Sequence, residues 1–322
     1  MTIRVGVLRG GLSNEFEVSL KTGENILSSL PKKYLGRDIL LNKNGDWYFN
    51  GQFSYPEKIF RSVDVVFNAL HGYFGEDGKV QQILEYFNVP YTGSGIFASS
   101  LGMNKILSRD IFAKAGLNVP RGVVINARED LFTAAKNVLN FISPPWVVKP
   151  FNGGSSIGVF IVQNFNDLLK VINFEQTSKI IVEEYIKGRE ATCGVIENFR
   201  GQKHYSLPTI EIIPSDKHKF FNYQAKYSGQ SREICPGNFD RETKNKIEEM
   251  AKIAHRVLGC RHYSRQDFRI SERAGDRGKV YILEANTLPG LTTESLIPKA
   301  VEAIGSSYPE FLDHLINLAL KC

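Results

Sequence analysis

Along the first hundred residues, the spacing of hydrophobic positions switches between the two periods that distinguish strands from helices. Runs rich in apolar residues at 3–8 and 63–70 predict buried strands, and apolar positions recur with helical spacing over residues 17–30. Asn44-Gly45 separates two further short apolar runs, which is typical of a β-hairpin. The pattern predicts an open α/β unit in this part of the chain.

The pattern changes in the next part of the chain. Helix-type spacing extends over residues 99–116, and Asn118-Val119-Pro120 separates this segment from the next elements. A strand, a glycine loop and a second strand are predicted over residues 146–150, 151–156 and 157–162. The remaining elements are predicted as a helix over residues 165–173, a strand over 180–186, an irregular stretch over 214–238, and helices over 241–258 and 307–320. These segments predict an α+β organisation after the α/β unit.

Composition narrows the class of protein. The chain has 322 residues, of which 42% are hydrophobic and 23% charged, and its net charge is +6. Its basic residues are dispersed among acidic ones, so no nucleic-acid partner is expected. No apolar run has the length of a membrane span, the first residues enter a strand directly, and the cysteines have no metal-type spacing. We therefore expect a cytoplasmic protein without membrane association or disulfides.

Four polar residues in an otherwise apolar predicted hairpin are the basis of the first hypothesis about the chemistry of this protein. Arg265 and Asp267 share one face of a predicted strand, and Glu284 and Asn286 share one face of the next. A two-residue turn at Gly275-Asp276 would place Asp267 opposite Glu284, and Arg265 opposite Asn286. Two carboxylates directly opposite repel each other, whereas one or two magnesium ions between them would turn the repulsion into coordination by oxygen ligands.

Two features of this region have alternative interpretations. A longer loop over residues 274–278 would shift the hairpin register by one residue and separate the two acids, and the hairpin could also be charged and solvated. The loop Gly153-Gly154-Ser155-Ser156, with Lys149 before it, could present backbone N–H groups to a phosphate or could be a glycine-rich β-turn. Together, the loop, the metal set and Arg265 favour a nucleotide whose phosphates are held through magnesium.

Several short motifs along the chain, taken together, are typical of one protein family. They are Gly10-Gly11 through Glu15, Glu17-Val18-Ser19-Leu20, Ala69-Leu70-His71-Gly72, Gly75-Glu76-Asp77-Gly78, Pro90-Tyr91-Thr92-Gly93-Ser94-Gly95, Val148-Lys149-Pro150, Gly154-Ser155-Ser156 with Gly158, Ala225-Lys226-Tyr227, and Glu284-Ala285-Asn286-Thr287 with Pro289-Gly290. In this order and spacing they make the chain similar to the D-alanine–D-alanine ligases of the ATP-grasp superfamily over nearly its whole length.

The resemblance implies a fold and a reaction. It implies an open α/β substrate domain at residues 1–100, a central ATP-grasp subdomain at 101–186, and a C-terminal ATP-grasp subdomain with the metal site at 187–322. ATP would lie between antiparallel sheets, and the segment over 214–238 would close over the substrates. The implied reaction joins two D-alanines through a D-alanyl phosphate to D-alanyl-D-alanine, for peptidoglycan synthesis. The resemblance also implies a homodimer.

The resemblance assigns roles to individual residues as well. ATP would be bound by Lys105, Lys149, Glu183, Glu184, Ile186, Glu190 and Lys226. Two magnesium or manganese ions would be held by Asp267, Glu284 and Asn286. The amino-acid substrates would be held by Glu15, His71, Ser295 and Leu296. The catalytic set would be Glu15, Ser155, Tyr227, Arg265 and Gly290, with Arg265 and the Gly290 N–H stabilising the oxyanion of the tetrahedral intermediate.

Simpler roles stay open for some of these residues. His71 could be a hydrogen-bonded structural histidine, Tyr227 a core aromatic, Glu15 a helix N-terminal acid and Lys105 a solvated helix residue. Departures from the family pattern occur at Asn104, Gly153, Phe221, Gln224 and Gln266. Two alternative functions therefore remain: an ATP-grasp ligase with another amino-acid or hydroxy-acid acceptor, such as D-serine, or a non-catalytic nucleotide-binding module.

Overall fold

A computed structural model describes five stretches of the chain, which are residues 2–126, 128–154, 158–174, 179–214 and 232–321. Ser155, Lys226 and Tyr227 lie outside these described residues, as does most of the segment predicted to be irregular. Among the described helices, none is both long and apolar enough to cross a membrane.

The described residues form fifteen strands and ten helices. The strands are β1 (Ile3–Gly10), β2 (Tyr34–Leu41), β3 (Trp47–Phe49), β4 (Gln52–Phe53), β5 (Val65–Asn68), β6 (Gly122–Ile125), β7 (Trp146–Pro150), β8 (Phe160–Val162), β9 (Ile180–Glu184), β10 (Gly188–Phe199), β11 (Gln202–Ser206), β12 (Ile210–Ile213), β13 (Arg232–Ile234), β14 (Tyr263–Ser271) and β15 (Val280–Asn286). The helices are α1 (Phe16–Ser29), α2 (Pro56–Arg61), α3 (Lys79–Tyr86), α4 (Ile96–Met103), α5 (Lys105–Lys114), α6 (Leu131–Phe141), α7 (Phe165–Phe174), α8 (Arg241–Val257), α9 (Leu296–Ala303) and α10 (Tyr308–Ala319).

The first sheet has the strand order β4-β3-β2-β1-β5, and its β1 pairs in parallel with both β2 and β5. Both faces of β1 are buried, because Val7 belongs to a core that includes Phe311 of α10 and Leu8 belongs to a second core. Burial on both faces explains why β1 has the adjacent apolar residues Val7 and Leu8 rather than a strict alternation. The predicted α/β pattern and the hairpin at Asn44-Gly45 are confirmed.

The helical spacing predicted over residues 99–116 is divided between two helices, which meet at Asn104. The Asn104 side chain accepts hydrogen bonds from two backbone N–H groups in the first turn of α5, at 3.2 and 3.1 Å. An asparagine in this position satisfies donors that have no partner within the helix, so it begins a new helix. Lys105 becomes the first residue of α5, and its backbone N–H donates to the Phe151 carbonyl at 2.8 Å.

The second sheet is antiparallel and has the order β6-β9-β7-β8. Helices α6 and α7 cover one face around Trp146, which is fully buried and donates from Nε1 to the Ile142 carbonyl at 2.9 Å. Because side chains alternate along a strand, Lys149 of β7 and Glu183 of β9 lie on the other face. The sheet therefore has one apolar face and one face that carries charge.

The third sheet has the order β13-β12-β10-β14-β15, and β11 pairs with β10 beside this path. Helix α8 packs on one face, where Ala251 and Ala254 share a core with Val195 of β10 and Phe268 of β14. Alternate positions of the same strands, such as Asp267, lie on the opposite face. The helix face is apolar around these residues, and the opposite face carries the residues of the predicted metal site.

The β14–β15 hairpin has the predicted pairing but not the predicted turn. Asp267 pairs with Glu284 and Arg265 with Asn286, as the sequence predicted. The two-residue turn at Gly275-Asp276 is wrong, because a longer loop connects the strands and shifts the register of the pairs nearest to it by one residue. A β-bulge at Leu283 absorbs the extra residue and restores the opposition of the two acids.

The N-cap of α5 gives a stability prediction. Asn104→Ala removes the acceptor for two N–H groups and should lower the free energy of unfolding by about 1 kcal/mol. Asn104→Asp keeps an acceptor in the same place, so its stability should match that of the parent chain. Urea denaturation of the three proteins measures both effects, and equal stability of the alanine variant would exclude a capping role.

Candidate active site

A cleft opens between the second and third sheets. Its empty volume, including the open mouth, is about 810 Å³. It is lined by Lys105, Pro120, Val147, Lys149, Pro150, Asn152, Gly153, Gly154, Val159, Glu183, Glu184, Tyr185, Ile186, Glu190, Asp267, Arg269, Leu283 and Glu284. The described residues predicted to bind ATP therefore all border one cleft, whose size suits a small-molecule ligand.

Lys149 and Glu183 form a buried ion pair on the wall that the second sheet contributes. The Lys149 Nζ lies 2.6 Å from Glu183 Oε2, and the residues are 8% and 4% exposed. Arg109 of α5 approaches the other carboxylate oxygen, with Nε at 3.7 Å. Since a charge removed from water needs a close partner, each member of this pair fixes the position of the other.

Glu184 belongs to a different network from its neighbour Glu183. Its carboxylate accepts hydrogen bonds from the Arg121 backbone N–H and from Arg273 Nη1, each at 2.8 Å. Burial by itself raises the pKa of Glu184, but the hydrogen bonds from Arg121 and Arg273 outweigh burial and lower the pKa. Glu184 is therefore a fixed anion that joins β9 to the loop after β14.

Glu190 and Arg269 form a second buried ion pair, on the wall that the third sheet contributes. They occupy facing positions on β10 and β14, and Arg269 Nη2 lies 3.2 Å from Glu190 Oε2. Ile186, in the segment that joins β9 to β10, is buried and contributes an apolar surface to the same cleft. The cleft thus offers apolar surface beside fixed hydrogen-bonding groups, as nucleoside binding requires.

Asp267 is held by three hydrogen bonds. Its Oδ1 accepts from Thr192 Oγ1 at 2.7 Å, and Arg265 donates through Nε and Nη2 to its two oxygens at 3.0 Å each. A carboxylate has about four acceptor positions, so one direction remains for a further partner such as a metal ion. In this structure Arg265 is a bidentate partner of Asp267.

Glu284 lies across the strand pair from Asp267 and is bound to Lys105. The Lys105 Nζ is 3.1 Å from Glu284 Oε2 and donates to the Gly153 carbonyl at 2.7 Å. The bulge lets the consecutive residues Leu283 and Glu284 both border the cleft, whereas consecutive residues of a regular strand face opposite sides. Lys105, the first residue of α5, thereby contacts both the glycine loop and the predicted metal ligand Glu284.

The opposed carboxylates of the cleft suit an added cation. The described lining residues include five acids, Glu183, Glu184, Glu190, Asp267 and Glu284, and three bases, Lys105, Lys149 and Arg269. Arginines beside this lining, among them Arg121, Arg265 and Arg273, also pair with Glu184 and Asp267. The opposed carboxylates, with the Asn286 amide two residues along β15, are the hard oxygen donors that magnesium prefers. The residues present fit a divalent metal.

A smaller adjoining cavity of about 320 Å³ leads towards the first sheet. It shares Lys105, Gly153, Gly154 and Glu284 with the cleft and adds Glu76, Gly102, Met103, Ala285, Asn286 and Thr287. Glu15 lies beside the shared glycine loop, since a Cβ added to Gly154 would stand 3.7 Å from Glu15 Oε2. Two predicted metal ligands, Glu284 and Asn286, thus line a cavity whose glycine loop lies close to Glu15, the acid predicted to bind the first amino acid.

His71 stands in the same region and is almost fully buried. Its Nε2 is 2.9 Å from Thr22 Oγ1, and its Nδ1 is 3.5 Å from Glu76 Oε1. Glu76 also accepts from the Gly72 N–H at 3.0 Å. The ring is therefore oriented from both sides, so a structural role and a substrate-positioning role are both consistent with this geometry.

Gly290, Ser295 and Leu296 cluster where a loop enters α9. A Cβ on Gly290 would lie 3.0 Å from Ser295 Oγ, so the glycine permits a close approach. Ser295 Oγ is 3.0 Å from the Thr292 N–H, and Leu296 begins the helix. Backbone N–H groups at the start of a helix attract anions, which is consistent with the carboxylate role predicted for Ser295 and Leu296.

Sequence reasoning missed several residues that hold the site. Arg269 follows Arg265 and Asp267 at the strand period, so the alternation itself could have indicated it. Thr192 and Arg109 gave no comparable signal, because their partners are remote in sequence and depend on sheet register and helix packing. Glu76 belongs to a sequence motif but had no predicted role of its own.

The sequence and its fold match known families. The model described as "D-ala D-ala ligase C-terminus" matches residues 111–317, and the model described as "D-ala D-ala ligase N-terminus" matches residues 52–94. A D-alanine–D-alanine ligase of Syntrophobacter fumaroxidans is 40% identical over 324 aligned residues, covering 99% of this chain and 98% of that protein.

Solved structures agree with this match. A D-alanine–D-alanine ligase from Coxiella burnetii superposes with a TM-score of 0.84 at 26% identity, covering 99% of this chain and 94% of that one. The VanG D-Ala:D-Ser ligase from Enterococcus faecalis gives 0.83 at 29% identity, covering 99% and 100%. The D-alanine–D-alanine ligase from Bacillus anthracis complexed with ATP gives 0.80 at 31% identity, covering 99% and 98%.

Two sheets that enclose a charged cleft, together with these matches, define an enzyme of the ATP-grasp class. Within that class, the chain belongs to the D-alanine–D-alanine ligase family. The resemblance and the fold class inferred from the sequence are confirmed.

The Lys149–Glu183 pair gives a prediction about how the cleft is stabilised. Lys149→Met would leave Glu183 buried with only the more distant Arg109, and should lower the free energy of unfolding by roughly 3 kcal/mol. The double variant Lys149→Met/Glu183→Gln removes both charges and should lose clearly less than the sum of the two single variants. Denaturation of all four proteins measures the coupling, and strictly additive losses would contradict it.

Proposed function

We propose that this chain catalyses the ATP-dependent ligation of two D-alanines to D-alanyl-D-alanine through a D-alanyl phosphate, supplying a peptidoglycan precursor. The observation that carries the proposal is the direct opposition of Asp267 and Glu284 in a cleft that also presents Lys105 and Lys149. Phosphoryl transfer needs this combination of metal ligands and fixed cations around a nucleotide. Membership of the ligase family supports the same reaction.

The reaction has two steps that balance without a further reactant. The carboxylate of one D-alanine attacks the γ-phosphorus of ATP, so that an acyl phosphate forms and ADP leaves. The amine of the second D-alanine then attacks the acyl carbon, loses a proton and displaces inorganic phosphate. Lys105 and Lys149 are placed to offset the negative charge of the phosphates, and the glycine loop at 153–154 borders the same space.

We assign the metal role to Asp267, Glu284 and Asn286, as ligands for two magnesium ions, with manganese as a substitute. The direct opposition of Asp267 and Glu284 supports this assignment, because carboxylate and amide oxygens are the ligands that magnesium prefers. When bound, the ions would neutralise charge on the transferred phosphoryl group. Thr192 and Arg265 orient Asp267, and Lys105 orients Glu284, which are contributions of the chain itself.

The organic part of the nucleotide is assigned to the cleft between the sheets. Ile186 offers apolar surface for adenine, beside the carboxylates of Glu183 and Glu184, and Glu190 is the partner for the ribose. The separation of the three sheets along the chain supports the domain division at 1–100, 101–186 and 187–322. Lys226 remains a proposed phosphate contact on the resemblance alone.

The amino-acid substrates are assigned to the adjoining cavity. Glu15 would hold the ammonium group of the first D-alanine with His71 nearby, and the α9 N-terminus at Ser295 and Leu296 would receive the carboxylate of the second. Their positions around the glycine loop and the Gly290 loop support this. Arg265 and the Gly290 N–H are assigned to the oxyanion, and Ser155 and Tyr227 are proposed from the resemblance alone.

The first experiment measures phosphate release and dipeptide mass with ATP, magnesium and D-alanine, with L-alanine and no amino acid as controls. D-alanyl-D-alanine should form with D-alanine only. Glu284→Gln should lower turnover roughly 100-fold or more, since even indirect partners of metal ligands are worth about 10–100-fold. Glu249→Gln, which changes an exposed acid of α8, is the matched control and should keep full activity.

The same assay separates the alternatives. Binding of ATP without turnover would favour a non-catalytic nucleotide-binding module. D-serine as the acceptor has one specific observation in its favour, which is the structural match to a D-Ala:D-Ser ligase. The assay therefore includes a mixture of D-alanine and D-serine. Preferential formation of D-alanyl-D-serine would identify D-serine, rather than D-alanine, as the second substrate.

A homodimer is proposed on the same resemblance. Exposed aromatic side chains on α3 and α4, Tyr86 at 78% and Phe97 at 84%, support a surface that a second copy covers. Sedimentation equilibrium should give twice the 36.2 kDa mass of one chain. A single-chain mass over the micromolar range would contradict the dimer.

A cytoplasmic location is inferred as well. The proposed reaction consumes ATP, and Cys193, Cys235 and Cys260 carry free thiols, which suits a reducing compartment.

A further inference from the structure

The helix-covered face of the third sheet carries a cluster of ionisable residues that the proposed reaction does not use. Glu197 of β10 and His204 of β11 are directly paired across an antiparallel hairpin, so their side chains share one face. Glu197 continues the alternation of Cys193 and Val195, which pack against α8. The cluster therefore lies on the opposite face of the sheet from Asp267.

A third member comes from the last turn of α8. The His255 Nε2 lies 3.7 Å from Glu197 Oε1, and the His204 Nε2 lies 3.9 Å from the same oxygen. One potential ligand atom from each of the three side chains lies within 4.8 Å of the others. Two imidazole nitrogens and one carboxylate oxygen thus converge on a common point.

The nitrogen of His255 that points into the cluster has no ordinary partner. The residue is fully buried, and its Nε2 makes no hydrogen bond to any residue that the structure describes. A buried polar atom in this condition is unfavourable unless something further binds it. The nearest candidate, Glu197 Oε1, is beyond hydrogen-bond distance. His255 Nε2 is therefore a polar atom that makes no hydrogen bond to the described residues and points to the centre of the cluster.

The side chains are oriented by outer contacts in the way that metal ligands usually are. The His255 Nδ1 is 2.6 Å from Ser264 Oγ, which fixes the ring so that Nε2 faces the cluster. In the tautomer in which Nδ1 donates to this oxygen, Nε2 offers its lone pair to an ion. Glu197 Oε2 accepts from the His262 backbone N–H at 2.7 Å, which fixes the carboxylate and leaves Oε1 facing the histidines. Such outer contacts set the ring orientation and the tautomer of ligating histidines.

We propose that Glu197, His204 and His255 form a binding site for one divalent transition-metal ion, with zinc as the best match. Zinc binds histidine nitrogen and carboxylate oxygen at about 2.0–2.2 Å, which places neighbouring ligand atoms roughly 3.4 Å apart in a tetrahedral site. The observed nitrogen–oxygen separations of 3.7 and 3.9 Å are longer than this value, and all three ligand atoms lie within 4.8 Å of one another, so side-chain rotations would bring them onto the ion. Solvent would supply the fourth ligand.

The surroundings are compatible with an ion of this kind. A histidine coordinates a metal through its neutral imidazole, which is the ordinary state of the side chain above about pH 6.5. Lys203 and Arg256 add positive charge nearby and work against a cation. The site therefore depends on the Glu197 carboxylate.

The site is chemically distinct from the cleft. The cleft presents hard oxygen donors suited to magnesium, whereas this cluster contributes two imidazole nitrogens, which favour zinc and its neighbours in the first transition row. His204 and Glu197 have side chains that are 18% and 21% exposed, so an ion can reach the cluster from solvent. A bound ion would join the β10–β11 hairpin to α8, behind the sheet that carries Asp267.

The test is a calorimetric titration of chelator-treated protein with zinc, in excess magnesium so that the oxygen-rich cleft is already occupied. We expect one zinc ion per chain and a rise in Tm on binding. His204→Asn removes one ligand but keeps the buried Glu197–His255 contact, so it should fold normally and lose affinity by at least roughly 100-fold. Cobalt in place of zinc should give visible absorption bands that are absent in this variant.

His314→Gln is the matched control. The His314 Nε2 lies 2.7 Å from the Glu197 backbone carbonyl, so this histidine is close to the cluster without being a ligand. The control should bind zinc like the parent chain. Absence of zinc binding by the parent, or equal binding by the parent and His204→Asn, would overturn the site and leave Glu197 and His255 as a structural pair. Neither result bears on the ligase reaction, which is measured separately.

Discussion

Asp267 and Glu284 face each other across two neighbouring strands, and the arrangement of the active site depends on keeping these like charges together. Thr192 and Arg265 hold Asp267, while Lys105 holds Glu284. Without such partners the opposition would be repulsive. Lys105 can reach Glu284 because a helix begins there, and that helix begins because Asn104 caps it. A local break in the backbone thus positions a charge in the cleft.

The same principle of paired charges extends over the rest of the cleft. Lys149 pairs with Glu183, Arg269 with Glu190, and Arg273 with Glu184. Buried ions of this kind contribute little net stability, because desolvation offsets most of their attraction. Their value is positional, since each fixed charge is already oriented when a substrate arrives and need not reorganise during the reaction.

The third sheet uses its two faces differently. One face carries Asp267 and the other ligands proposed for magnesium, while the other packs against α8 and ends in the cluster of Glu197, His204 and His255. Ser264 and Arg265 are adjacent on β14, yet Ser264 contacts His255 and Arg265 contacts Asp267. The alternation of a strand is enough to send neighbouring residues to two chemically different sites.

The sequence by itself determined the local elements and the chemistry of the hairpin. Its strand and helix periods located β1, α8 and α10, and the two-residue spacing of Glu284 and Asn286 placed both on one face. Periodicity is a local property, so it can be recognised from neighbouring residues. Family motifs added the reaction, which no spacing alone could have given.

The tertiary structure determined the features that depend on contacts between segments far apart in the sequence. The opposition of Asp267 and Glu284 was predicted with a two-residue turn, but it is produced by a longer loop and a bulge at Leu283. The partnership of Thr192 with Asp267 depends on which strands pair and in what register. His204 and His255 are 51 positions apart in the sequence. Only the packing of α8 on the sheet brings them together, because such contacts arise from packing rather than from any local period.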